Sequence, residues 1–186
     1  YPNHLNKSYI QKLFSKFRHF SIASYGFCLP NKGFRELIMA IKILRSRGLK
    51  IKLNIFSSLY SPSYDYVYHD LISLIKELNL TKIVTINNKY LSDSETLSYL
   101  EKSELIVYPY QNSNESSSAS VRHGLATSRP VLVTPISIFE EISNLVDYLP
   151  GISPNEIADG IEEWLINDRH KIKEFQQNQP QRLLKL

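Results

Sequence analysis

The sequence predicts a doubly wound α/β domain built on a largely parallel six-stranded sheet. Two observations carry this. Strand-like and helix-like segments alternate about six times along the chain. The strand-like runs are short and continuously apolar rather than alternating, as in strands covered on both faces.

Taken in order, residues 1–19 combine a linker with a short amphipathic helix, marked by Leu5, Ile10, Leu13, Phe14 and Phe17 with lysines between them. "FSIASYGF" (20–27) predicts a strand running into a turn. "NKGFRELIMAIKILRSRGLK" (31–50) predicts a helix, with Leu37, Ile38, Ile41 and Leu44 on one face and Gly48 as its stop. A strand at 51–58, a helix at 64–80 and a strand at 82–88 follow. Next come a helix at 92–103, a strand at 104–110 and a helix opening near Ser116. The chain continues through a strand at 129–134, a short helix near 137–144 and a weak strand at 145–149. The helix at 153–168 has Ser153 as cap and Pro154 in its first turn. The expected units are therefore 1–19, a main domain over 20–170, and a lysine-rich helical tail over 171–186. The expected strand order is 3-2-1-4-5-6, with the 82–88 strand at one edge.

At 186 residues the chain suits one domain, burying roughly 70% of its unfolded surface. The net charge of +4 is spread along the length, which argues against nucleic acid and fits a small anionic ligand or an acidic membrane surface equally. Cys28 is the only cysteine, which leaves no disulfide framework and no cysteine-based metal site. His4, His19, His69 and His170 are isolated and read as structural or surface residues, so no metal is expected. No apolar run is long enough to span a bilayer and no signal peptide is visible. The opening "YPNHLNKSYI" lacks an initiator methionine and reads as a piece of something longer.

In doubly wound sheets ligands bind beyond the carboxyl ends of the strands, where the strand order reverses. That rule selects two loops. In "YGFCLPNKGFRELI", Lys32 stands at a helix start, where backbone amides and a cation together favour a phosphate. A proline-asparagine turn with a solvated lysine explains the same residues. In "NSNESSSASVRHGLATSRPVLVTP", small residues open a helix and leave the amides of Ser117, Ser118, Ala119 and Ser120 without carbonyl partners. An ordinary cap by Asn114 or Ser116 explains this equally well. Along that helix Glu115, Ala119, Arg122, His123 and Ala126 share a polar face, while Ser118, Val121 and Leu125 form the core face. Tyr64, Tyr66 and Tyr68 offer either a base-stacking wall or helix packing.

The order of elements, with "GFCLPNKGFRELIMAI" and "ESSSASVRHGLATSRPVLVT", resembles the C-terminal, donor-binding half of a family 4 glycosyltransferase of GT-B architecture. The resemblance covers nearly all of residues 20–170. The family's first loop reads glycine-arginine, four residues, lysine-glycine; Gly26, Lys32 and Gly33 match, and Phe27 stands at the arginine. Its second loop reads glutamate, seven residues, glutamate, then a proline-valine strand. Glu115, Ala126, Pro130 and Val131 are in register, His123 stands at the second glutamate, and Ser118 replaces a usual glycine.

The resemblance implies a Rossmann-like domain of a retaining, metal-independent enzyme that takes a nucleotide-sugar as substrate and needs no cofactor. Lys32, with Gly26 and the Ser117–Ser120 amides, would hold the diphosphate, Arg122 would add charge, and Glu115 would contact the transferred sugar. A glycan or lipid-linked acceptor would be held by an upstream domain, and the location implied is cytoplasmic, with room for contact at the inner face of a membrane. Glu140 and Glu141 lie near a further family glutamate, and ordinary helix-start charge accounts for them as well. A neutral imidazole has one acceptor nitrogen where a carboxylate offers two oxygens, so His123 would accept a single ribose hydroxyl, and a glutamate there would restore two acceptors. The alternative is a non-catalytic sugar-nucleotide-binding or protein-interaction domain derived from the same fold.

Overall fold

The computed structural model describes residues 19–113 and 118–167. The expected N-terminal amphipathic helix, the C-terminal helical tail, His4, His170, Glu115, Ser117 and the caps Asn114 and Ser116 lie outside the described residues.

Six strands form one sheet: β1 (Phe20–Tyr25), β2 (Ile51–Phe56), β3 (Val84–Asn87), β4 (Leu105–Tyr108), β5 (Val131–Val133) and β6 (Asp147–Tyr148). Their order is β3-β2-β1-β4-β5-β6, as expected, and every neighbouring pair is parallel. The helices are α1 (Phe34–Ser46), α2 (Asp65–Glu77), α3 (Asp93–Leu100), α4 (Ala119–Ala126) and α5 (Pro154–Asn167), with 3-10 turns at Pro30–Lys32, Pro62–Tyr64 and Ser137–Ile142.

Period-two alternation along the strands sorts the core into two layers. Ile22, Leu53, Leu105 and Leu132 point to the face covered by α1, α2 and α5, where Leu37, Ile41, Leu71 and Trp164 meet them. Ala23, Ile106, Tyr108, Val131 and Val133 point to the other face, against Leu100 of α3, Val121 of α4 and Phe139. Cys28 belongs to the first layer, where burial pushes its thiol pKa up and it packs as a small hydrophobe. Packing of α5 on α1 is fastened by Arg47, whose guanidinium meets Asp159 at 2.7 Å and Glu162 at 2.6 Å. Tyr64 and Tyr68 lie against the core, as helix packing requires, while Tyr66 is exposed.

Two helix starts are closed by their own sequence. Ser92 accepts from the Glu95 amide and Glu95 reaches back to the Ser92 amide. Ser153 and Glu156 repeat this at α5. Hydrogen bonds from the serine side chain and backbone lower the pKa of both glutamates. A lowered carboxylate pKa means stability that is present above the ordinary range and lost as pH falls through the folded-state range. Ser153→Ala should therefore be less stable than the parent near neutrality and converge on it in acid. Urea midpoints for both proteins across the carboxylate range would show it; a gap that stays constant with pH would remove the glutamate from the account.

Candidate functional site

The order of the sheet reverses between β1 and β4, and the loops leaving those two strands meet at its carboxyl edge. The meeting is specific. The Gln111 amide donates to the Asn31 carbonyl at 2.9 Å, and the Asn31 side-chain amide donates to the Asn112 carbonyl at 3.3 Å. Gly33, at φ 70°, lies so close that a β-carbon there would overlap the Pro109 carbonyl. Gly26, at φ 151°, has the Ser120 hydroxyl 3.3 Å from where its β-carbon would be. Both positions need glycine for conformation and for room.

Lys32 closes its 3-10 turn with a side chain only 5% exposed. Its ammonium sits 4.0 Å over the Tyr110 ring, a cation-π contact made away from bulk water. Tyr110 and Tyr108 stand two residues apart, so both rings emerge on the face that carries α4. The Tyr108 hydroxyl donates to the Ser120 carbonyl at 2.6 Å, and burial pushes its pKa far up, so it stays a neutral donor. The Tyr110 hydroxyl lies 3.0 Å from the Ser118 hydroxyl. A β-carbon at Gly124 would stand 2.6 Å from the Tyr108 oxygen, which is why α4 carries a glycine against that ring. Reading "YPY" as strand residues alone missed that these tyrosines hold the first turn of α4; their i, i+2 spacing was the available signal.

α4 begins three residues later than the sequence suggests, with Ser118 as N-cap and Ala119 as the first helical residue. The amides at its N-terminus are those of Ala119, Ser120 and Val121, displaced toward the C-terminus from the Ser117–Ser120 set. No acidic residue stands in that first turn. Ser118 and Val121 face the core and Arg122 is exposed, as the helical wheel predicts.

His123 differs from expectation. One ring nitrogen lies 3.0 Å from the Ala119 carbonyl and the other 3.0 Å from the Asp93 carboxylate, while Tyr25 meets the ring edge-on at 5.3 Å. Both partners are acceptors, so the ring as placed turns no acceptor nitrogen toward a ribose. It ties α4 to the first turn of α3. A glutamate at 123 would therefore confront Asp93 rather than restore two acceptors for a ligand. His123→Glu should lose about 1 kcal/mol or less, since Asp93 is well exposed, and Asp93→Asn should recover most of it. A double-mutant cycle with no coupling would deny the contact.

Phe27, at the position of the family arginine, is exposed and meets Tyr60 edge-on at 5.3 Å, with Tyr60 in turn 6.0 Å from Tyr64. Glu140 and Glu141 are exposed within the Ser137–Ile142 turn. Among the described residues no group of three or more His, Cys, Asp or Glu side chains is placed to hold a metal ion. No described helix is long and apolar enough to cross a membrane.

Solved structures share this fold. A glycosyltransferase from Rickettsia africae superposes with a TM-score of 0.76 at 16% identity, over 98% of this chain and 48% of its own. The C-terminal domain of a group 1 family glycosyl transferase, LpcC from Francisella tularensis, matches with a TM-score of 0.69 at 16% identity, over 97% of this chain and 92% of its own. HepE from Anabaena, solved in complex with UDP and glucose, matches with a TM-score of 0.70 at 14% identity, over all of this chain and 53% of its own. The chain has the fold of one GT-B half. It spans about half the length of the first full-length structures it matches. No protein-family model matches the sequence, and no curated protein matches it either.

Proposed function

We propose that this GT-B half is the donor-binding domain of a retaining, metal-independent glycosyltransferase that takes its sugar from a nucleotide-sugar. The diphosphate lies between the N-terminus of α4 and Lys32, with Gly26 leaving room for it and Arg122 adding charge at the rim. The observation that carries this is the joining of the two loops, which brings the buried Lys32 ammonium onto Tyr110 and Tyr110 onto the cap of α4. A cation and free helix amides stabilise the charge that develops on a departing nucleoside diphosphate, the chemistry a leaving group of this kind requires. Glu115 contacts the transferred sugar. His123 acts from behind α4 by fixing it to α3, rather than by accepting a ribose hydroxyl. A glycan or lipid-linked acceptor is held by a second domain outside these 186 residues.

A second reading has an observation of its own. Phe27 in place of the arginine, and His123 engaged within the chain, favour a domain that binds the nucleotide without transferring sugar. Calorimetric titration of UDP, GDP, ADP and their sugar conjugates tests the binding that both readings share. Release of nucleoside diphosphate from the nucleotide-sugar that binds, in the presence of a glycan acceptor and the full-length protein, separates them. Absence of binding across the panel would overturn the donor-site reading.

A further inference from the structure

Ser92 and Ser153 show what a serine does when it caps a helix in this protein: each hydroxyl accepts from the amide three residues on. Ser118 has the extended backbone of a cap residue, at φ −115° and ψ 112°, yet its side chain makes no cap hydrogen bond. Its hydroxyl is paired instead with the Tyr110 phenol at 3.0 Å. That phenol is fixed. Tyr110 is fully buried, with Lys32 over its ring and Tyr108 and Phe139 against it at 6.2 Å and 5.3 Å. A further hydrogen bond from the Thr134 hydroxyl to the Tyr110 carbonyl, 2.6 Å long, holds its backbone.

We propose that Tyr110 is a positioning residue: its phenol holds the Ser118 hydroxyl away from α4, so that the amides of Ser120 and Val121 stay open to a phosphate of a nucleoside diphosphate. The idea rests on the donor-site reading for its ligand, and on the geometry alone for the serine. Without the phenol, a χ1 rotation brings the Ser118 hydroxyl to the partner that cap serines take in this protein, an amide of its own helix. Self-capping and phosphate binding use the same donors, so the two compete. A phenylalanine at 110 removes the oxygen and keeps the ring, its packing and the surface under the Lys32 ammonium.

The test uses three variants of the chain and three readouts. Tyr110→Phe should weaken UDP binding about five- to tenfold, the equivalent of one N-cap hydrogen bond. Adding Ser118→Ala should return affinity to within about twofold of the parent, because the competing cap is gone. Ser118→Ala alone should lower the melting temperature, since it strands a buried phenol. Without any nucleotide, amide hydrogen exchange at Ser120 and Val121 should slow in Tyr110→Phe and recover in the double variant. Unchanged exchange and affinity in Tyr110→Phe, or a double variant no better than the single, would overturn the proposal and leave Tyr110 as packing. Exchange that follows the pattern in a protein that binds none of UDP, GDP, ADP and their sugar conjugates would uphold the control of Ser118 and overturn the donor-site reading.

Discussion

Gly33→Ala should destabilise the fold by about 3 kcal/mol or more, the largest effect expected of a methyl group added at any of the described glycines. Two costs add. The backbone at φ 70° is left-handed, which costs an L-residue about 1–2 kcal/mol. The new methyl would then overlap the Pro109 carbonyl, a backbone atom at the end of β4 that cannot rotate away. Relief requires the two loops to part, which would also lift Lys32 from Tyr110 and loosen the Gln111–Asn31 hydrogen bond. Urea denaturation measures it directly. A loss of no more than about 1–2 kcal/mol, the conformational cost alone, would mean that the loops are not joined as described.

Lys32→Ala should weaken nucleoside diphosphate binding by about 1–3 kcal/mol, the range of a charge-assisted contact, or roughly five- to 150-fold. Lys32 is only 5% exposed, so salt screens it less than it would a surface lysine, and much of the loss should persist at high ionic strength. Lys32→Arg keeps the charge but not the compact point-charge geometry, and should give an intermediate affinity. Calorimetry with UDP at two salt concentrations checks both variants. Equal affinity for parent and Lys32→Ala would remove the lysine from the donor site.

How far these expectations could have been reached without coordinates differs from residue to residue. The sheet order, the parallel pairing and the choice of two loops were legible, because a doubly wound sheet is written in local signals. Apolar runs such as "LIVY", helix periodicity such as Leu37–Ile38–Ile41–Leu44, and glycines at turns each act over a few residues. Lys32 and Gly33 could be selected because a helix start after a strand in such a sheet has one place to go. The core face of α4, with Ser118 and Val121 inward, also followed from spacing alone.

The start of α4 did not. Serines fit a cap, a turn or a first helical position with similar ease, so the local sequence does not decide among them. Tyr108 and Tyr110 decide it, by taking the Ser120 carbonyl and the Ser118 hydroxyl from a neighbouring strand. The state of His123 was hidden for the same kind of reason: its partner Asp93 is thirty positions away on another helix, and nothing in "SVRHGLA" announces a carboxylate. Sequence by itself determined which segments of the sheet domain are strands and helices and their order in the sheet, because those follow from periodicity and chain connectivity. Only the tertiary structure decided which partners the Ser118 hydroxyl, the His123 ring nitrogens and the Lys32 ammonium take. Those pairings are set by contacts between side chains that the chain brings together only once the sheet has formed.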